Sequence, residues 1–425
     1  MIEHAPKRSS APLRLKDTSW LQRPETARVF AALAAPGVET RAVGGAVRNA
    51  LLGEPVNEVD LATTALPESV MALARKAGLK AVPTGIEHGT VTIIADGVPF
   101  EVTTLRRDIE TFGRRAAVSF TENWEEDARR RDFTLNALYA GSDGTVFDPL
   151  GGYEDLLAGR VRFIGNAEDR IKEDYLRILR FFRFNAYYGK GALDPEGLHA
   201  SVRLRGGLEQ LSAERIAAEL RRLLVAPQAL RGVEALFDYG FLPALLGGVP
   251  RLDRFKRLLA IEAALGRVPD AMVRLAALAV FVTEDAERLA GRLRLSNAEQ
   301  AVLALGAVEQ GDTDLPGEDA AKRALYRLGP SNFAAFMLIA WADSGAAPDD
   351  PNWRAAFSLP ERWQVPPFPL RGADIVAMGD LEGPEIGAIL RRLEADWVAG
   401  GFALSREELL TRAEVLSRKS PRQDR

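Results

Sequence analysis

The chain of 425 residues contains no cysteine. That removes disulfides, thiolate zinc sites and cysteine nucleophiles together, and it suits a reducing compartment. Histidine is nearly as scarce: only His4, His88 and His199 are present, too scattered for a histidine metal cluster. Residues 1–20 lack the apolar core of a secretory signal. The longest clean apolar run, Leu275 to Val282, is far too short to span a bilayer. A large excess of one charge is missing too. Lys and Arg number 55 against 59 Asp and Glu, a net charge of −4. Bulk positive charge therefore cannot grip nucleic acid, although a local basic surface could. These absences predict a soluble, cytoplasmic protein with no disulfide partners and no membrane contact.

What is present is ample core material, 47% hydrophobic against 27% charged residues, in a length that predicts two to four domains. Residues 1–22 are polar and proline-interrupted and read as a loose lead-in. Residues 23–150 mix short helical and strand-like segments, an α/β head. Within it Ala46 to Leu52 reads as a helix stopped by Gly53. Val91 to Ile94 and Val98 to Leu105 read as strands around an Ala95-Asp96-Gly97 turn. The stretch Arg107 to Ala117 is polar, contains Gly113 and has no apolar period, so it reads as a mobile loop. After Gly151 the strand signals fade. Arg170 to Ala186, Ala213 to Val225 and Arg251 to Leu265 read as helices, with linkers at Gly311 to Pro316 and Ala346 to Pro351. The helical part divides into 151–235, 236–345 and 346–425. From Arg160 to Glu234 fourteen Lys/Arg face ten Asp/Glu, a local positive excess that fits a solvated helical surface or a phosphate-facing one.

Two short motifs carry chemistry. Gly44 and Gly45 open a helix, where main-chain N–H groups can approach a phosphate and the helix end favours negative charge. Arg48 can add a charge-assisted contact to the same anion. Downstream, Glu58 and Asp60 lie two apart in an apparent strand, so they share one face while Val59 and Leu61 point into the core. Adjacent carboxylates repel unless a cation lies between them. Hard oxygen ligands beside a phosphate cradle suggest Mg²⁺ bridging a nucleoside triphosphate. Alone, either motif fits an ordinary Gly-Gly turn or solvated acids on an edge strand; together they favour the nucleotide site.

The Gly-Gly turn followed by the acid–apolar–acid strand resembles the nucleotidyltransferase superfamily signature. Further motifs follow in order: Phe100 to Arg106, Arg130 to Leu138, Asp148 to Gly152, Glu173 to Arg180 and Ala213 to Ile216. Together they resemble the bacterial class II tRNA nucleotidyltransferases (CCA-adding enzymes) and the related poly(A) polymerases. A weaker likeness to the family's tail runs from Leu370 through Asp374 and Gly383 to Trp397. The resemblance implies a polymerase-beta-like α/β head followed by an all-α neck, body and tail. It implies addition of C, C and A to tRNA from CTP and ATP, with Mg²⁺ as cofactor and the body and tail binding tRNA.

The resemblance also assigns roles. Gly44, Gly45 and Arg48 would hold the triphosphate, Glu58 and Asp60 the metal ions, and Glu101 would be a third acid beside them. Arg131 and Asp132 would contact the ribose. Asp174 and Arg177, read as neighbours three apart on one helix, would read the base. Cytosine and adenine each present an amino donor beside a ring-nitrogen acceptor, and a carboxylate with a guanidinium matches both. Arg180 counts with the nucleotide-binding residues, although Arg177, Arg180 and Arg183 could equally meet tRNA phosphates or solvate a helix. His88 fits the family's pattern and reads as structural. Asn49 and Glu58 stand where the family commonly has Asp. No histidine follows His199, which excludes the phosphohydrolase domain some relatives carry. The alternatives are a poly(A) polymerase, a partial enzyme adding only CC or only A, and a non-catalytic RNA-binding protein.

Overall fold

The computed structural model describes residues 13–112, 115–307, 315–378 and 383–419. The chain forms two compact units, Met1–Phe241 and Leu242–Arg425. In the first, helix α1 (Pro24–Leu33) leads to strand β1 (Thr40–Val43), α2 (Gly45–Leu52), β2 (Asp60–Thr63) and α3 (Pro67–Lys76). Then come β3 (Lys80–Gly85), β4 (Thr90–Ala95), β5 (Val98–Thr104), β6 (Arg106–Phe112), β7 (Arg115–Phe120) and α4 (Trp124–Arg129). β8 (Tyr139–Ala140) and β9 (Val146–Phe147) complete a seven-stranded sheet in the order β3-β4-β5-β2-β1-β8-β9. Only β2 and β5 run parallel among these neighbours. One face is closed by Val43, Ala62, Leu105, Trp124, Ala137, Tyr139 and Ile164.

Local chemistry explains the elements that position the site. Asp96 and Gly97 both have positive φ, the requirement of a tight turn joining β4 to β5. α2 ends where Gly53 turns left-handed. Gly152, in the Asp148-to-Gly152 motif, cannot be replaced: a Cβ there would lie 2.1 Å from the Thr134 carbonyl oxygen. Asp148 accepts from the N–H groups of Gly152 and Tyr153 and so starts α5 (Gly152–Ala158).

The rest of this unit is helical, as expected: α6 (Ala167–Glu173), α7 (Leu176–Tyr188), α8 (Pro195–Arg203), α9 (Ala213–Leu224) and α10 (Ala229–Asp238). The second unit contains α11 (Leu242–Leu246), α12 (Leu252–Ala264), α13 (Ala271–Ala279), α14 (Thr283–Leu293), α15 (Asn297–Ala304) and α16 (Glu318–Ser344), the last interrupted at Gly329. After it come α17 (Pro351–Phe357), α18 (Leu359–Arg362), α19 (Gly372–Val376), α20 (Gly383–Ala399) and α21 (Arg406–Lys419). Trp397, Leu393, Ile375 and Leu409 centre a separate cluster in its last helices. No helix of the described residues is long and apolar enough to cross a membrane. The expected linker Gly311 to Pro316 falls mostly outside the described residues.

Four expectations need correction. The described end of the lead-in is not loose: Leu15, Trp20 and Leu21 are buried, and Leu15 N–H donates to the Gly144 carbonyl. The stretch expected to be a loop is the antiparallel ribbon β6–β7. Strand β2 begins only at Asp60, so Glu58 precedes it, although the exposed–buried alternation already runs from Glu58 through Leu61. The helix expected over Arg170 to Ala186 is broken at Asp174, whose backbone is extended (φ −157°, ψ 106°).

Candidate active site

Register builds the centre of the site. Val43, the last residue of β1, faces Asp60 on one side and Tyr139 on the other. The turn at Gly44 therefore begins directly beside Asp60. Leu61 of β2 pairs with Val102 of β5, which sets Glu101 alongside Asp60 on the neighbouring strand. The Asp60 carboxyl keeps an exposed surface, yet the protein around it, then Glu101 and Glu58, push it up to about 6, against Arg131. Three hard-oxygen acids that repel one another in this way suit a divalent cation. Among the described residues no group of three or more His, Cys, Asp or Glu is already gathered to hold a metal.

The glycine turn is flanked by two cations. Gly44 has φ +69°, a conformation that favours glycine. A Cβ on it would lie 4.0 Å from Arg131 Nη1, and one on Gly45 would lie 3.6 Å from Arg48 Nη2. Arg48 is 8% exposed, and among the described residues no carboxylate lies within ion-pair distance of it. Its guanidinium donates to the Asn136 side chain, to Tyr188 Oη at 2.8 Å and to Asn49 Oδ1 at 3.3 Å. It also lies 4.3 Å from the centre of the Tyr188 ring. Asn49 thus offers a neutral acceptor, and the acid that acts on Arg48 is Asp132, which accepts from the other end of the Asn136 amide.

Arg131 and Asp132 are both engaged internally. Arg131 pairs with Asp127 at 3.0 Å and donates to Tyr139 Oη. Against the burial that would raise it, Arg131 and Arg130 hold Asp127 at about 2. Asp132 accepts from Arg180, from Asn136 Nδ2 and from its neighbour Phe133 N–H. Arg180 and Asn136 hold it at about 2 against its burial.

Helices α6 and α7 separate the two residues expected to read the base. Asp174 caps the end of α6; its carboxylate accepts from Arg215 Nη2 at 2.6 Å and from Leu176 N–H at 3.1 Å. Arg177, the second residue of α7, pairs with Glu173 at 2.5 Å and donates to the Arg170 carbonyl. The two are not i,i+3 neighbours on one continuous helix: the Arg177 main-chain N–H donates to the Asp174 carbonyl at 3.0 Å, while their side chains take different partners. Arg180 and Arg183 both reach Glu219, which is 3% exposed. Arg177, paired with Glu173, belongs to a separate cluster, and all three arginines are engaged by internal carboxylates. His88 is half-buried, and its main-chain carbonyl accepts from Arg106.

Comparison with known proteins places this geometry. Residues 40–162 match the family described as the poly A polymerase head domain, and 192–255 match a probable RNA and SrmB-binding site of polymerase A. A mitochondrial CCA tRNA nucleotidyltransferase 1 from Mus musculus is 36% identical over 387 residues, 88% of this chain and 86% of that protein. The chain belongs to the CCA-adding tRNA nucleotidyltransferase family. A CCA-adding enzyme from Geobacillus stearothermophilus is 41% identical over 216 residues, 50% of this chain and 52% of that protein. The structure of the Bacillus stearothermophilus CCA-adding enzyme in complex with CTP superposes with a TM-score of 0.71 at 29% identity, covering 93% of this chain and 98% of that one. Nucleotidyltransferases of this family use divalent metal ions.

Within this family member several site residues escaped sequence reasoning. Asp127 was legible only as the acid three and four residues before the pair Arg130–Arg131. Arg215 lies in a motif noted without a role, and Glu219 four residues beyond it. Tyr188 and Asn136 carry no sequence signal of their own for holding Arg48.

Proposed function

We propose that this chain adds C, C and A to the 3′ end of tRNA without a nucleic-acid template, using CTP and ATP and releasing pyrophosphate. The observation that carries the reading is the Val43–Asp60 register, which sets an acid held up to about 6 against a glycine turn flanked by Arg48 and Arg131. Main-chain N–H groups of the turn and the start of α2 bind the triphosphate, and Arg48 adds a charge-assisted contact. Glu58 and Asp60 hold Mg²⁺, with Glu101 bracing them. A divalent ion held by these acids would supply activation of the tRNA 3′-hydroxyl and charge neutralisation on the triphosphate. Arg131 and Asp132 orient the ribose from positions fixed by Asp127 and Arg180. Asp174 accepts from the amino group of C or A, and Arg177 donates to the adjacent ring nitrogen. Each keeps hydrogen-bonding capacity beyond its internal partner. We place the enzyme in the cytoplasm, on the absence of cysteine.

The test is incubation with tRNA lacking CCA, using labelled CTP and ATP together and each alone. The reading expects C incorporation from CTP alone and A incorporation only when CTP is also present. A long A tail from ATP alone would support the poly(A) polymerase reading. Incorporation of neither nucleotide would leave an RNA-binding protein.

A further inference from the structure

We propose that Asn49 is a positioning residue, which fastens the segment carrying Glu58 to the arginine beside the glycine turn. The proposal rests on the reading of Glu58 and Asp60 as cation ligands, and adds what keeps Glu58 in place.

Residues 53–59 join α2 to β2 and carry Glu58 near their end. Val56 and Val59, each 6% exposed, turn inward and anchor the segment by packing. Glu54, Pro55, Asn57 and Glu58 are exposed. A cavity of about 360 Å³, lined by Asp17 and Trp20 of the lead-in and by Gly53 through Asn57, leaves space beside the segment. Pro55 brings no N–H to a main-chain network. The start of the segment is closed by the Glu54 N–H, which donates to the Asn49 carbonyl at 2.9 Å. Beyond it, two side chains hold consecutive carbonyls. Asn49 Nδ2 donates to the Pro55 carbonyl at 3.3 Å, and Arg23 Nη2 donates to the Val56 carbonyl at 2.9 Å.

Asn49 also faces the phosphate side of the site. Its Oδ1 accepts from Arg48 Nη2 at 3.3 Å and from Tyr188 Oη at 3.4 Å. Arg48 can only donate and a main-chain carbonyl can only accept, so one amide orientation satisfies both neighbours. The oxygen turns to Arg48 and the nitrogen to Pro55. A carboxylate of the same shape would set oxygen against the Pro55 carbonyl and lose this second bond. One side chain thus ties the guanidinium beside Gly45 to the backbone three residues before Glu58. Glu58 in turn lies close enough to Asp60 to add to its repulsion. Slack in the segment would let the two carboxyls part and weaken their hold on a shared cation.

The test is binding of Mn²⁺ to nucleotide-free protein, followed by electron paramagnetic resonance of the free ion. Mn²⁺ takes the same hard oxygen ligands as Mg²⁺. Loss of one hydrogen bond predicts roughly fivefold weaker Mn²⁺ binding in Asn49→Ala. Arg23→Met removes the second tether from outside the site and should shift binding in the same direction. Should Asn49→Ala melt early in EDTA, Arg23→Met reads the same quantity on the same segment. A lowered melting temperature with wild-type Mn²⁺ affinity would make these side chains merely structural and overturn the proposal. It would leave the cation ligands standing, provided that Asp60→Asn loses the ion. Equal Mn²⁺ binding by wild type and Asp60→Asn would instead overturn the reading of the acids, and the proposal with it.

Discussion

Asp174 is held by Arg215, 41 residues further along the chain, at 2.6 Å, whereas Arg177 is held by Glu173. The two base-reading candidates are thus positioned by different partners, and each can be disturbed without touching the other. Arg177→Ala removes the donor to the ring nitrogen. It should lower use of CTP and ATP about ten- to a hundredfold, the effect of losing one charge-assisted hydrogen bond in a desolvated pocket. Use of UTP and GTP, whose ring N–H gains nothing from a cation, should fall much less. Arg215→Ala frees the Asp174 carboxylate and should also blunt selectivity, although Arg215 meets no base. Single-nucleotide addition with all four triphosphates measures both. A uniform loss across the four would mean that these residues hold the helix and do not read the base.

Asp60 is raised to about 6 in the folded chain from an ordinary 3.8. The folded state therefore holds this proton more tightly than the unfolded state. In metal-free protein that stabilisation is fully present below about 4 and is lost as pH rises toward 6. Asp60→Asn should consequently melt higher than wild type at pH 7.5 in EDTA and match it at pH 4. Added Mg²⁺ should raise the wild-type melting temperature and leave the variant unmoved. Equal melting curves at both pH values would mean that the acids do not strain the site.

Much of this centre was legible in the sequence because its signals are local. The Gly44-Gly45 turn, the stop at Gly53 and the Asp96-Gly97 hairpin each need a few adjacent residues with special backbone freedom. The break at Asp174 was not legible, because the apolar spacing continues through it and the partner that holds its carboxylate is Arg215, far away in sequence. The β6–β7 ribbon looked like a loop since its hydrogen bonds are main-chain and its residues are polar without a period. Leu15, Trp20 and Leu21 looked like isolated apolar residues in a polar lead-in, and only packing reveals that they are core.

Asp127 makes the same point and yields a stability prediction. In sequence it is one of three acids in the first turn of a short helix, yet its side chain is 1% exposed and carries Arg130, Arg131 and Tyr139. Asp127→Asn leaves two guanidiniums without their anion in a buried place, which should cost about 3 kcal/mol in denaturant unfolding. Because its folded carboxyl sits near 2, the wild-type advantage is present above about 4 and fades as pH falls toward 2. A loss under 0.5 kcal/mol would show that the network is dispensable.

The ribbon β6–β7 stands where a loop was expected, and we propose that it remodels the pocket between CTP and ATP. Deleting residues from the tip of the ribbon should leave CC addition largely intact and stop A addition, read as the length of the tRNA product. An equal fall in both steps would make the ribbon purely structural.

Intact-mass analysis of the tRNA product tests the central claim most directly. Wild-type protein with Mg²⁺, CTP, ATP and tRNA lacking CCA should yield one product heavier by two cytidylates and one adenylate, and addition should then stop. Asp60→Ala should yield no gain while still binding tRNA. A ladder of adenylates, or a gain that persists in Asp60→Ala, would contradict the account.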